Sequence, residues 1–231
     1  KAEEIDVQAL EELDVAKLLD ALQDAPTQFS VITQLALFTG ARRGEICGLR
    51  WSDIDFNAST ISVNRTVEYI PHEGLIFTAP KTKASNRTFK VGANCMDMLR
   101  EYQLYQKEER LRVGSMWART VQVENGKTVQ NDLLFTKWNG APIDPKTVTT
   151  WFPGFLAAYD LLPVHFHSLR HTNASLLIAA HVPVTAVSGR LGHAKTSTTT
   201  DIYAGFIRSA DAAAADALTD VFTRIREENH A

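Results

Sequence analysis

The chain has 231 residues, a formal net charge of −3 and an apolar fraction of 45%. That is enough apolar material for one large packed domain. No run approaches the roughly 20 consecutive apolar residues of a membrane helix, so neither a membrane span nor a membrane partner is expected. Charge is unevenly spread. The first 24 residues hold eight acids and two bases, residues 209–231 hold five acids and two bases, and the remainder carries twenty bases against fourteen acids. An acidic whole can therefore still offer a basic cleft, and phosphate contacts are made locally. Cys47 and Cys95 have no metal-type spacing and read as reduced thiols of a cytoplasmic protein. The chain begins at Lys1 without an initiator methionine, which predicts a fragment of a longer protein.

In chain order, Asp14 reads as a helix N-cap before Val15, Leu18, Leu19 and Leu22. A second helix is expected over 28–38, stopped by Gly40, and a short one over 43–49. The period then changes. β-Branched residues over 60–70, around 75–78 and over 87–91 predict three antiparallel strands in one small sheet, with 81–86 as the polar turn between the last two. A charged amphipathic helix follows over 93–111, then a polar, irregular stretch over 112–131. Asp144-Pro145 opens a helix carrying Val148, Trp151, Phe152, Phe155 and Leu156. Helices are further expected over 168–180, 184–191, 196–206 and 210–226. The fold class is α+β, a mostly helical domain with a small three-stranded antiparallel sheet.

Four segments carry chemistry: Thr39-Gly40-Ala41-Arg42-Arg43-Gly44-Glu45, Pro80-Lys81-Thr82-Lys83, His167-Ser168-Leu169-Arg170-His171-Thr172, and Leu191-Gly192-His193 with Tyr203 ten positions on. Guanidinium groups grip phosphate oxygens in bidentate fashion and offset transition-state charge. A phenol can act as nucleophile and conserve the bond energy in a covalent intermediate. A lysine or histidine can protonate a leaving oxygen. Taken singly, each has an ordinary structural explanation: a surface arginine, a solvated lysine turn, a histidine at a helix end, a half-buried tyrosine. Order and spacing together carry the reading.

That combination resembles the tyrosine recombinase family, the integrases of phages and conjugative transposons. The matching residues are Arg42 with Glu45 in T-G-x-R-x-x-E, Lys81 in a hairpin turn, His167 and Arg170 in H-x-L-R-H-T, His193 in L-G-H, and Tyr203 in Asp201-Ile202-Tyr203. Trp51-Ser52-Asp53-Ile54-Asp55 also resembles a family stretch, and Ser168 stands where the family more often has Asp. The resemblance runs from about Thr27 to Phe206 and implies a catalytic domain over 14–208. Residues 1–13 are then a linker from an N-terminal DNA-clamping domain, and 209–231 a C-terminal helical tail.

The resemblance implies a site-specific recombinase that integrates or excises a mobile element. Tyr203 attacks a phosphodiester to form a 3′-phosphotyrosine, and Arg42 and Arg170 hold the non-bridging oxygens. Lys81 protonates the leaving 5′-oxygen, His167 assists proton transfer at Tyr203, and His193 bonds the phosphate. Glu45 orients the site, and Arg43, Lys83, Arg87 and Lys195 contact DNA. No metal, ATP or other cofactor is required. The partner is double-stranded DNA, engaged by a homotetramer spanning two sites and built from protomers that are monomeric in isolation. The tail over 210–226 either packs on its own domain or is donated to a neighbouring protomer.

Three rivals compete with this reading. His165, His167 and His171 have a spacing like that of metal ligands. A non-catalytic DNA-binding relative would share the fold, and a type IB topoisomerase would share the chemistry.

Overall fold

The computed structural model describes residues 9–79, 85–123 and 126–192. Among the described residues helices dominate, with three small antiparallel sheets. The first helix, α1 (Glu12–Ala21), has Glu11 as N-cap, so Asp14 lies in its first turn rather than at the cap. Just before it, Leu10 is buried and its N–H donates to Thr172 Oγ1 at 2.9 Å, tying the start of the described chain to a distant helix.

Helix α2 (Thr27–Thr39) is the central pillar. Val31, Ile32, Leu35 and Ala36 are buried along it, and Gly40 ends it in the left-handed conformation at φ 62°. A helix end leaves carbonyls without intrahelical partners and carries partial negative charge. Here side chains from two later helices supply the donors. Asn173 Nδ2 reaches Leu37 O at 2.6 Å, Arg190 Nη2 reaches Phe38 O at 2.8 Å and Arg170 Nη1 reaches Gly40 O at 2.6 Å. A Cβ at Gly40 would stand 2.5 Å from Leu191 Cδ2 and 2.7 Å from Asn173 Oδ1. Gly40→Ala therefore combines a left-handed strain of about 1–2 kcal/mol with overpacking of about 1–3 kcal/mol. Its urea midpoint is expected to fall by the equivalent of about 2–5 kcal/mol with an unchanged denaturant slope.

Three residues after Gly40, α3 (Arg43–Cys47) begins. It lies so close to the following sheet that a Cβ on Gly44 would meet Val67 O at 2.7 Å.

The strands differ from the expected sheet. β1 (Ile54–Asp55), β2 (Thr60–Val63) and a later strand, β5 (Arg87–Lys90), form a three-stranded sheet in the order β1-β2-β5. β3 (Thr66–Ile70) and β4 (Gly74–Thr78) form a separate hairpin. The expected strand over 60–70 is thus broken at Asn64-Arg65. Asn64 Nδ2 donates to Asp53 Oδ1 at 3.1 Å, and Arg65 Nη1 bonds both Asp53 Oδ2 and Gly48 O. Those tertiary bonds draw the chain out of one sheet and into the other. As a result β4 and β5 belong to different sheets and are not paired among the described residues.

Helix α4 (Ala93–Val113) matches the predicted amphipathic helix and runs two residues further. The stretch expected to be irregular contains a hairpin, β6 (Thr120–Gln122) with β7 (Thr128–Gln130), seated by buried Val121. Gln106 on α4 is an internal tie: it accepts from Trp51 Nε1 at 2.7 Å and donates to the carbonyls of Leu133 and Leu134 at 3.0 and 2.6 Å.

Helix α5 (Pro145–Ala158) starts as predicted, with Asp144 Oδ1 accepting from Lys146 N at 2.8 Å. Trp151 stacks between Phe29 and Phe155, at 4.6 and 4.7 Å between centroids. Helices α6 (Ser168–Ala179) and α7 (Val184–Leu191) complete the described fold, with a small apolar cluster of Ala174, Ile178, Val187 and Leu191 between them. Cys47 and Cys95 are free and buried, and burial pushes both thiols up to about 12. Among the described residues no helix is long and apolar enough to cross a membrane. The helices expected over 196–206 and 210–226 lie outside the described residues.

Candidate active site

The sharp turn at Gly40 releases α2 and delivers Arg42 to the N-cap of α3. An arginine has no acceptor with which to cap a helix, so the cap is completed from the other side. Glu45, at the third helical position, accepts the Arg42 N–H at 2.8 Å and the Arg42 guanidinium at 2.9 Å. The spacing R-x-x-E is thus a local device: one turn of helix brings the carboxylate back beneath the arginine that precedes it. Glu45 is 4% exposed, while the Arg42 side chain keeps 42% of its surface in solvent. Arg42 is therefore anchored from below and open above.

Glu45 has a second partner. Arg87, at the start of β5, donates to it from Nη2 at 2.9 Å and from Nη1 at 3.2 Å. Burial alone would raise the Glu45 pKa. The hydrogen bonds and charge of Arg87, with the Arg42 backbone N–H and charge, outweigh it and hold the carboxyl below its ordinary value. The Arg87 side chain is only 7% exposed and bonds Glu45, Ser85 O and Arg190 O. Expected from sequence to contact DNA, Arg87 is instead committed to the interior.

Arg170 arrives from α6. It is 3% exposed, and its bond to Gly40 O brings the H-x-L-R-H-T segment against the T-G-A-R turn across 130 residues of sequence. Arg43 points elsewhere: its Nη1 donates to Thr149 Oγ1 on α5 at 2.7 Å.

His167 stands immediately before α6 and opens to solvent on one side. The protein enclosing the rest of its ring, and the charges of Arg170, Arg42 and Arg43, lower its pKa. His171 packs edge-on against it with ring centroids 5.0 Å apart. Burial first, then His167 and Arg170, push His171 down to about 4. Both rings are held neutral at pH 7, a state in which an imidazole can accept a proton. Among the described residues no three His, Cys, Asp or Glu side chains converge as metal ligands, so His165, His167 and His171 form no such group.

The structure thus brings together Arg42, Glu45, Arg170 and His167, with Arg87 behind them. Lys81, Lys83, His193, Lys195 and Tyr203 lie outside the described residues. Sequence reading missed Asn173 and Arg190, the two residues that join Arg170 in capping α2. Neither side chain, one in the middle of α6 and one in the last turn of α7, carried a sign of its distant acceptor.

Two arginines and a histidine thus gather around the end of one helix within a mostly helical domain. The sequence matches the phage integrase family over residues 8–206, and the chain belongs to that family. It is 31% identical to a tyrosine recombinase XerC-like protein of Caldanaerobacter subterraneus subsp. tengcongensis, over 95% of this chain and 56% of that protein. It is 25% identical to the ICEBs1 integrase of Bacillus subtilis, over 89% of this chain and 52% of the relative. The chain therefore spans about half the length of these curated relatives. Its fold is similar to that of the Tn1549 transposon integrase solved with a circular intermediate DNA, with a TM-score of 0.73 at 20% identity, covering 87% of this chain and 62% of that one. The XerA recombinase shares the fold at a TM-score of 0.65 and 20% identity, covering 91% and 64% of the two chains.

Proposed function

We propose that this chain is the strand-cleaving and rejoining part of a site-specific DNA recombinase serving a mobile element. The observation that carries the reading is the convergence of Arg42 and Arg170. One is braced by Glu45 and the other by Gly40 O, at a turn that also feels the neutral His167. The phage integrase family match and the integrase and recombinase names of the relatives support it.

In this reading Arg42 and Arg170 hold the non-bridging oxygens of a scissile phosphate. The Tyr203 oxygen forms a new bond to phosphorus as the bond to the 5′-oxygen breaks. The tyrosine proton passes to His167, and Lys81 supplies the proton that the 5′-oxygen takes up. His193 bonds the phosphate. A 5′-hydroxyl from a second strand reverses the reaction, because the phosphotyrosine keeps the bond energy. Neither ATP nor a metal enters this scheme. Arg43, Lys83 and Lys195 contact the DNA backbone. The working assembly is a homotetramer on two duplexes. The catalytic domain runs to 208 and already includes Leu10, which is buried against Thr172, and α1 from Glu12; the residues before Leu10 act as the linker and 209–231 as the tail.

Supercoiled plasmid incubated with the protein in chelator and without ATP, then quenched with detergent, tests the reading. Relaxed topoisomers and protein bound covalently to DNA are expected. Cleavage that appears only when a divalent metal is restored would replace the tyrosine mechanism with metal-assisted hydrolysis.

A further inference from the structure

Arg190 closes α7 and is not part of any motif considered so far, yet it sits where three elements of the site meet. Its guanidinium donates to Phe38 O at the end of α2 at 2.8 Å and to Lys90 O at the end of β5 at 2.9 Å. It also lies over the Phe89 ring, 4.8 Å from its centroid. Its own carbonyl accepts from Arg87 Nε at 2.7 Å. Arg87 in turn holds Glu45, and Glu45 holds Arg42. The next residue, Leu191, packs at the place where Gly40 has no side chain. A continuous set of bonds therefore runs from α7 through β5 to the N-cap of α3, with the end of α2 as its second anchor.

We propose that Arg190 is a positioning residue for the reaction: it clamps the C-terminal end of α7 to β5 and α2 and thereby fixes Arg87, Glu45 and Arg42. The inference rests on the recombinase reading above. The planar fork is what makes the clamp. Two nitrogens of one rigid group reach two carbonyls on different elements, while its face covers an aromatic ring. An ammonium on a flexible stem places its donors around one point and has no planar face to lay over the ring, so it does not hold the same fixed geometry. In sequence, Leu191-Gly192-His193 leaves directly from this end of α7, so the clamp stands at the root of the segment that leads to Tyr203.

The test is single-turnover adduct formation on supercoiled plasmid in chelator, comparing the unmodified protein with Arg190→Met and Arg190→Lys. Methionine keeps length and an aromatic contact but removes both donors. Misplacement of site groups by about 1 Å can cost on the order of 10²-fold in rate. The rate constant of Arg190→Met is therefore expected to fall by roughly 10- to 100-fold, with the final amount of adduct and the DNA concentration at half-saturation little changed. Arg190→Lys is expected to fall between the two. A purely structural role would instead lower the final amount of adduct by reducing the folded fraction and leave the rate constant alone. That outcome, or an unchanged rate constant in both variants, overturns the proposal. If Arg190→Met does not fold, Arg190→Lys decides alone: a reduced rate constant supports the clamp and an unmodified one refutes it. Absence of adduct from the unmodified protein would overturn the recombinase reading itself, a result distinct from either.

Discussion

Tyr203→Phe is expected to bind plasmid DNA as the unmodified protein does and to form no covalent adduct. The substitution removes one oxygen, the atom that would bond phosphorus, and leaves every cation in place. Binding to duplex DNA is dominated by Lys and Arg contacts to phosphates, so the affinity at a given salt concentration should hold. Chemistry by a nucleophile and its helpers is strongly non-additive, and loss of the nucleophile alone should cost at least about 10³-fold in adduct yield. Filter binding and detergent-stable capture of labelled DNA measure the two quantities separately. An adduct surviving in Tyr203→Phe would move the nucleophile elsewhere. Among the described tyrosines, Tyr69 is 59% exposed, whereas Tyr102 is buried with its hydroxyl donating to Gln28 at 3.0 Å.

Glu45→Ala is expected to produce the largest loss of stability of any single change at the site. Its carboxylate is buried between Arg42 and Arg87, and Arg87 is itself nearly inaccessible. Removing one member of a buried ion pair leaves an uncompensated charge and costs about 3–5 kcal/mol. Most of that comes from Arg87, because Arg42 is partly solvated and screened. Denaturant titration at pH 7 measures it. Cleavage should fall as well, since Arg42 loses the partner that sets its orientation.

The pH dependence follows from the same contacts. The folded carboxyl titrates below its ordinary value. Its contribution is thus fully present above the unfolded pKa, about 4.3, and is lost as pH falls through the lower folded value. The stability difference between the unmodified protein and Glu45→Ala should be constant near neutrality and narrow below about pH 4. A difference that stays constant through the acid limb would mean that Glu45 is not held ionised by the two arginines.

The site was legible in the sequence to the extent that it is local. T-G-x-R-x-x-E encodes a helix stop, a turn and a new helix start, and each step follows from short-range sterics and hydrogen bonding. The R-x-x-E pair meets because one helical turn brings those positions together. Helix α5 was legible from Asp144-Pro145 and its apolar spacing, and α7 lies where a helix over 184–191 was expected.

Arg87 shows where that legibility stops. From sequence it is a basic residue beside a lysine-rich turn, and solvent-facing DNA contact is the natural expectation. Its burial depends on Glu45, 42 positions away, and on the end of α7, 103 positions away. The strand over 60–70 behaves in the same way. β-Propensity runs straight through it, but Asp53 takes Asn64 and Arg65 as partners and divides it between two sheets.

What the sequence determined by itself was the seven described α-helices, most of their boundaries and the chemical types gathered in the motifs, because periodicity, capping and turn chemistry act over a few residues. What only the tertiary structure decided was which arginine faces outward and which is spent inside, how the strands are shared between sheets, and that α6 and α7 supply the donors for the end of α2. Those outcomes depend on pairing between groups far apart in the chain. The cost of burying an unpaired charge or carbonyl selects the partner, and no short stretch of sequence contains both halves of the pair.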